Sequence, residues 1–523
     1  MKLSGSQGSM AQAQADWAGA ISTWEPDVFD DTARNSAGSS SSYRVLQDNL
    51  LKSLSYQTME DRQSSIADAS QETFMWIFEQ TTASTTPDNV GAPKFIDWLK
   101  GTPQTEKDLI YWITGKPGSG KSTLMKFIRG HRLLNQNLQV WSGEQPLITA
   151  HFYFWNVGTN DQKSQDGLMR SLLFQCLSQM PSLVPLVCPK RWALLKLFGT
   201  TAEFPDWTRK EIDDAMSRVA AQHAKPANIA LFIDGLDEFD CDHEALVSQL
   251  QGLVTTYNLK LCVSSRPWNV FRDAFGAHPS LTMEALTKRD ISTFVSSSFD
   301  QSPAFQEMKE VYPNETQAMK DQILEKAQGV FLWVSLVLRS LLRGLREGDQ
   351  LLTLQIKIDE LPDDLEKLFQ KIWDSIEPQH VPNASELFQL VRCSRPFILV
   401  TAEILWLADE KTEMNRNLRE MSPAFHRNIL LQIARRLNSR TKGLLELPYA
   451  GGSPTFAHRT VMDWLYQPSI WSVTETFFHI PHTKWPCHRI HYTRRQLKVV
   501  RLQGHDFSGS STIIRSICRA MPG

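Results

Sequence analysis

Nine residues constrain this chain more than any others: Gly115-Lys116-Pro117-Gly118-Ser119-Gly120-Lys121-Ser122-Thr123. They follow a short run rich in β-branched and aromatic residues, LIYWIT (109–114), and lead into a helix-like segment, STLMKFIRGH (122–131). The spacing is that of a P-loop, G-x-x-x-x-G-K-[ST], in its required order of strand, loop and helix. Gly115, Gly118 and Gly120 let the backbone curl so that successive N–H groups converge on a phosphate, with Lys116, Pro117 and Ser119 completing the loop. A helix opening near Lys121 adds its positive dipole end. Lys121 supplies a cation for β- and γ-phosphates, Ser122 a hydroxyl ligand for Mg²⁺, and Thr123 a hydroxyl just behind it. The expected ligand is ATP or GTP with Mg²⁺; no motif separates the two bases.

Such a site needs an acid at the end of a second buried strand. IALFIDGLDEFD (229–240) provides Asp234, placed to hold Mg²⁺ through water, and then Asp237 and Glu238, where a carboxylate can orient an attacking water. A third apolar run, KLCVSSRP (260–267), ends at Arg266. Strand carboxyl ends face the ligand crevice of an open α/β sheet, so Arg266 is expected to meet the γ-phosphate.

The rest of the chain fits an α/β fold. Strand-like runs at 109–114, 147–155, 229–239, 259–267 and 280–287 alternate with helix-like segments, which predicts a parallel sheet with helices on both faces. We divide the chain into a disordered, Ser-rich segment (1–42), a helical region (43–107), the NTPase domain (108–287), a helical domain (288–377), a domain of short helices with one hairpin-like stretch (378–467), and a basic tail (468–523). Within 43–107, two helices with Ile66, Ala69, Phe74 and Ile77 turned inward are expected, followed by an amphipathic KFIDWLKG burying Phe95, Trp98 and Leu99.

Composition narrows the function. A formal charge of −2 argues against general attraction to nucleic acid, and no specific nucleic-acid partner is expected. Seven scattered cysteines read as reduced core thiols of a cytoplasmic protein. The basic tail's Cys487, His488 and His491 lack a second ligand pair, so no zinc site is expected there. The apolar run AQGVFLWVSLVL (327–338) is too short to span a bilayer and reads as a buried helix.

Several stretches in order resemble a NACHT-type nucleotide-binding module of the STAND class, in the fungal form grouped with nephrocystin-like N-terminal NTPase domains. They are SSIADASQETFMWIF (64–78), FIDWL (95–99), LIYWITGKPGSGKSTLMKFI (109–128), LFIDGLDEF (231–239), VSSRPW (263–268), GVFLWVSLVLRSLLRGL (329–345), LPDDLEKLF (361–369) and FAHRTVMDWL (456–465). The resemblance implies that 378–467 is winged-helix-like and that His458 reaches the bound β-phosphate in a closed state. It further implies a nucleotide-dependent switch that meets protein partners, or other copies of itself, in the triphosphate state. Gly235 stands after Asp234 where many faster P-loop ATPases carry glutamate, which suits slow hydrolysis. The alternatives are a static nucleotide-bound scaffold or a truncated adaptor; a small-molecule kinase is disfavoured, since no basic lid segment follows Arg266.

Overall fold

The computed structural model describes residues 41–70, 73–79, 93–103, 105–156, 158–199, 206–220, 227–257, 259–394, 402, 423–447 and 455–476. The expected disordered segment, apart from its last two residues, and most of the expected basic tail lie outside them. The described chain forms two compact units that divide between Asp363 and Asp364.

The first unit is built on five parallel strands: β1 (Ile110–Thr114), β2 (Leu147–Tyr153), β3 (Asn228–Asp234), β4 (Lys260–Ser265) and β5 (Ser280–Thr282), in the order β2-β3-β4-β1-β5. Side chains alternate across a strand, so a sheet covered on both sides needs apolar residues at every position, not every second one. Ile110 and Trp112 enter one core while Tyr111 and Ile113 enter the other; Ile229, Leu231 and Ile233 oppose Ala230 and Phe232 in the same way. Helices α1 (Ser41–Leu54), α5 (Gln165–Gln179), α6 (Arg209–Ala220) and α7 (His243–Tyr257) close the first core; α2 (Pro93–Lys100), α3 (Lys121–Gly130) and α4 (Arg132–Ser142) close the second. The α/β architecture with helices on both faces is therefore as the sequence predicts, and Phe95, Trp98 and Leu99 are buried as expected.

β2 is an edge strand whose free backbone groups would invite another chain. Two glutamines one turn apart on α5 pair with them instead. Gln175 accepts from the His151 N–H at 3.1 Å and donates to its carbonyl at 2.7 Å; Gln179 does the same for Thr149 at 3.1 and 2.8 Å. At the start of β4, Lys260 is fully buried. Its Nζ donates to the carbonyls of Trp98, Leu99 and Gly101, which end α2 and satisfy the ammonium's three protons.

The two helices expected after residue 43 are α1 and a five-residue helix, Asp61–Ser65; among the described residues a 3₁₀ turn, Met75–Phe78, follows, and Ile66, Phe74 and Ile77 are buried. Two local expectations are corrected. SLTMEALT is a strand only to Thr282; Met283 opens α8 (Met283–Asp300). The apolar run 327–338 is a buried helix from Phe331 on, α9 (Phe331–Glu347), but not in its first residues, where Gln328 and Gly329 adopt φ of 46° and 79° and separate it from the helix ending at Ala327. Among the described residues, no helix is long and apolar enough to cross a membrane.

The second unit packs Phe369, Trp373, Phe388, Phe456 and Trp464 together among helices of 7 to 19 residues. The hairpin-like stretch forms an antiparallel pair, β6 (Leu445–Glu446) with β7 (Thr455–Phe456).

Candidate functional site

The loop after β1 has the backbone its glycines permit. Gly118 and Gly120 hold φ of +73° and +95°, and a Cβ on Gly118 would come within 2.8 Å of Leu332 Cβ. Gly120 is the last residue before α3, so the helix's first N–H groups open toward the loop's interior. Lys121 folds back over the loop and donates from Nζ to the carbonyls of Gly115 at 2.7 Å and Lys116 at 3.0 Å. Burial pulls its pKa below the usual lysine value, opposed chiefly by the carboxylate of Asp237 and then by those of Asp234 and Glu284.

Asp234 ends β3 and is 1% exposed. Burial raises its pKa, while the Ser122 and Ser264 hydroxyls and the charges of Arg62 and Lys121 work in the opposite direction. Ser264 Oγ donates to Asp234 Oδ1 and accepts the Gly235 N–H at 3.0 Å, which fixes the carboxylate and the turn behind it. Asp234 Oδ2 is buried with no hydrogen-bond partner. An orphaned carboxylate oxygen beside the Ser122 hydroxyl supplies the oxygen donors a hard divalent cation favours, while Lys121 answers the phosphates, so these residues fit Mg²⁺ bound with a nucleotide.

The strand order explains why Arg266 belongs here. β4 lies between β1 and β3, and its carboxyl end therefore falls between the P-loop and Asp234. Arg266 pairs with Asp237 twice, Nε to Oδ2 at 3.0 Å and backbone N–H to Oδ1 at 3.1 Å. Glu238, 8% exposed, accepts the Asn156 N–H at 3.1 Å through Oε2, and its Oε1 lies 3.7 Å from Arg62. Thus Lys121, Ser122, Asp234, Asp237, Glu238 and Arg266, named separately from sequence, converge at the carboxyl end of one sheet. His458 lies in the second unit, where it caps the helix Arg459–Leu465 by accepting the Thr460 N–H at 3.2 Å.

Three residues of this site were not assigned a role from sequence. Ser264 carried a weak signal, a polar residue ending an apolar strand. Arg62 and Glu284 carried none. Glu284, in the first turn of α8, accepts the Lys116 N–H, and Leu332 in α9 donates its N–H to the Gly118 carbonyl at 3.1 Å. The P-loop backbone is thus tied to two of the helices that follow the sheet, to a side chain of α8 and to the main chain of α9.

A family described as a domain of unknown function, DUF7791, matches residues 375–482. No curated protein matches the chain. Among solved structures, a Drosophila ORC bound to DNA overlaps at 16% identity and a TM-score of 0.29, covering 72% of this chain and 94% of its own. The Aeropyrum pernix ORC2 protein in its ADP form overlaps at 12% and 0.25, covering 70% and 87%; overlaps this weak carry no argument. The family described as Nephrocystin 3, N-terminal, matches residues 84–266. That match begins ahead of β1 and closes on Arg266, so it takes in both halves of the phosphate site, and over that span the chain is similar to the nephrocystin N-terminal family, with the P-loop of an NTPase.

Proposed function

We propose that the chain is a nucleotide-operated switch with slow hydrolysis. It binds ATP or GTP with Mg²⁺ at residues 115–123 and meets protein partners or other copies of itself in the triphosphate state. The observation that carries the reading is the Arg266–Asp237 pair beside Lys121. Arg266 has two anionic partners to choose between, the Asp237 carboxylate and an incoming γ-phosphate. A diphosphate offers only the first. A ligand shifts a two-state equilibrium only through its differential contacts, and this exchange of partners is such a difference.

In this reading, Lys121 leaves the loop carbonyls for the phosphates, and the P-loop N–H groups hold them. Ser122 and Asp234 are the residues that would hold Mg²⁺, which when bound neutralises phosphate charge. Ser264 keeps Asp234 from rotating, and Glu238 accepts a proton from water. The bonds of Lys116 to Glu284 and of Gly118 to Leu332 give the loop a direct mechanical link to α8 and α9. His458 enters as a nucleotide ligand on the family resemblance alone.

Mass photometry of the full chain with a nucleoside diphosphate, and separately with a non-hydrolysable triphosphate, tests the proposal. We expect a shift to larger species with the triphosphate only. Identical distributions contradict the switch and leave a static nucleotide-bound scaffold.

A further inference from the structure

Arg62 comes from outside the sheet and from outside the stretch that matches the nephrocystin family, yet its guanidinium stands at the carboxyl ends of β2 and β3. Four observations place it there. Its NH2 group is 3.7 Å from Glu238 Oε1. Its charge acts on Asp234 and Tyr153, the last residues of β3 and β2. Its guanidinium lies 5.7 Å from the Trp155 ring centroid. Its Nε is buried with no hydrogen-bond partner.

The peptide around Arg62 is held on both sides. Gln63 Oε1 lies 3.2 Å from His151 Nε2 on β2, and Lys126 of α3 donates to the Ile66 carbonyl while pairing with Asp68 at 2.8 Å. Earlier in the segment, Gln162 donates to the Thr58 carbonyl at 2.7 Å. A surface arginine needs no such anchoring. The side chain is 19% exposed and the Glu238 side chain 11%, so the pair is screened less than a surface ion pair.

We propose that Arg62 is a positioning residue for the Glu238 carboxylate during hydrolysis. This rests on the reading of Glu238 as the water-activating base given above. In that step the water oxygen bonds to the γ-phosphorus as the bond to the β,γ-bridging oxygen breaks. The electron pair leaves on the nucleoside diphosphate, the water proton passes to Glu238, and inorganic phosphate remains. A carboxylate on a short, mobile side chain does this well only if its direction is fixed. Arg62 and the Asn156 N–H engage its two oxygens separately, which fixes that direction. Hydrolysis thereby depends on a segment that precedes the NTPase fold, and displacement of residues 61–66 would uncouple binding from turnover.

The test is a double-mutant cycle in the full chain, with steady-state turnover of ATP and of GTP and equilibrium binding of a fluorescent nucleoside diphosphate. Arg62→Ala is expected to lower kcat about fivefold or more, with KM and diphosphate affinity within about twofold. Arg62→Lys should recover part of the loss. In a Glu238→Gln background, Arg62→Ala should change the residual rate by less than about twofold, because its effect runs through the carboxylate already removed. Equal losses in kcat and KM, or a full multiplicative loss in the Glu238→Gln background, overturn the proposal while leaving the nucleotide switch intact. A parent chain that binds nucleotide without any turnover also overturns it, since no base is then being positioned. If Arg62→Ala fails to fold, as judged by its thermal melt, the same cycle is run with Arg62→Gln.

Discussion

Arg266 and Asp237 form a two-point pair, side chain to side chain and backbone to side chain, with Asp237 5% exposed and Arg266 16% exposed. An arginine this enclosed is committed to its partner until a stronger anion arrives. Removing the acid takes away both bonds of this enclosed pair. Asp237→Ala is expected to destabilise the nucleotide-free protein by about 3 kcal/mol. The deficit should shrink when Mg²⁺ and triphosphate are added, because Arg266 then has phosphate to pair with. Urea unfolding with and without nucleotide measures both; a deficit that does not change with triphosphate argues against the exchange of partners.

Ser264 offers a second test of how Asp234 is held. Its hydroxyl serves two buried groups, the Asp234 carboxylate and the Gly235 N–H. Ser264→Ala leaves both without that partner, at a cost of about 2 kcal/mol or more. Mg²⁺-dependent nucleotide affinity should fall with it. An unchanged unfolding midpoint together with unchanged affinity contradicts this role.

The phosphate site was legible where chemistry forces a local pattern. A loop that wraps phosphate must have glycine at fixed positions, and buried parallel strands must be apolar throughout, so β1, β3 and β4 and the residues at their ends could be read directly. The short run SLTMEALT could not be divided in this way, since apolar residues at that density suit a strand or a buried helix equally and length alone arbitrates. Arg62 was invisible for a different reason: DRQSS is an ordinary polar helix, and only the fold brings it beside Glu238. Gln175 and Gln179 are similar, reading as helix polarity until the edge strand they cover is seen. The break at Gln328 was missed because glutamine is not a residue that announces a left-handed turn.

His151 gives a prediction in pH. Burial, and after it the charge of Arg129, lower its pKa from 6.5 to about 3. Between those values the unfolded chain takes up a proton that the folded chain refuses, so stability falls as pH drops through that window. The slope is up to about 1.4 kcal/mol per pH unit for the one residue. His151→Phe removes this contribution, so the parent should lose stability faster than the variant between about pH 6 and pH 4. Parallel stability curves across that range would show that His151 is not held neutral.

The most direct test of the account is equilibrium titration of the purified chain with a fluorescent nucleoside triphosphate and the matching diphosphate, in Mg²⁺ and then in EDTA, for the parent and for Lys121→Ala. The account predicts saturable binding to the parent, a triphosphate affinity that falls when Mg²⁺ is removed, and loss of triphosphate binding in Lys121→Ala by about a hundredfold or more. Triphosphate affinity that is the same in Lys121→Ala as in the parent would contradict it.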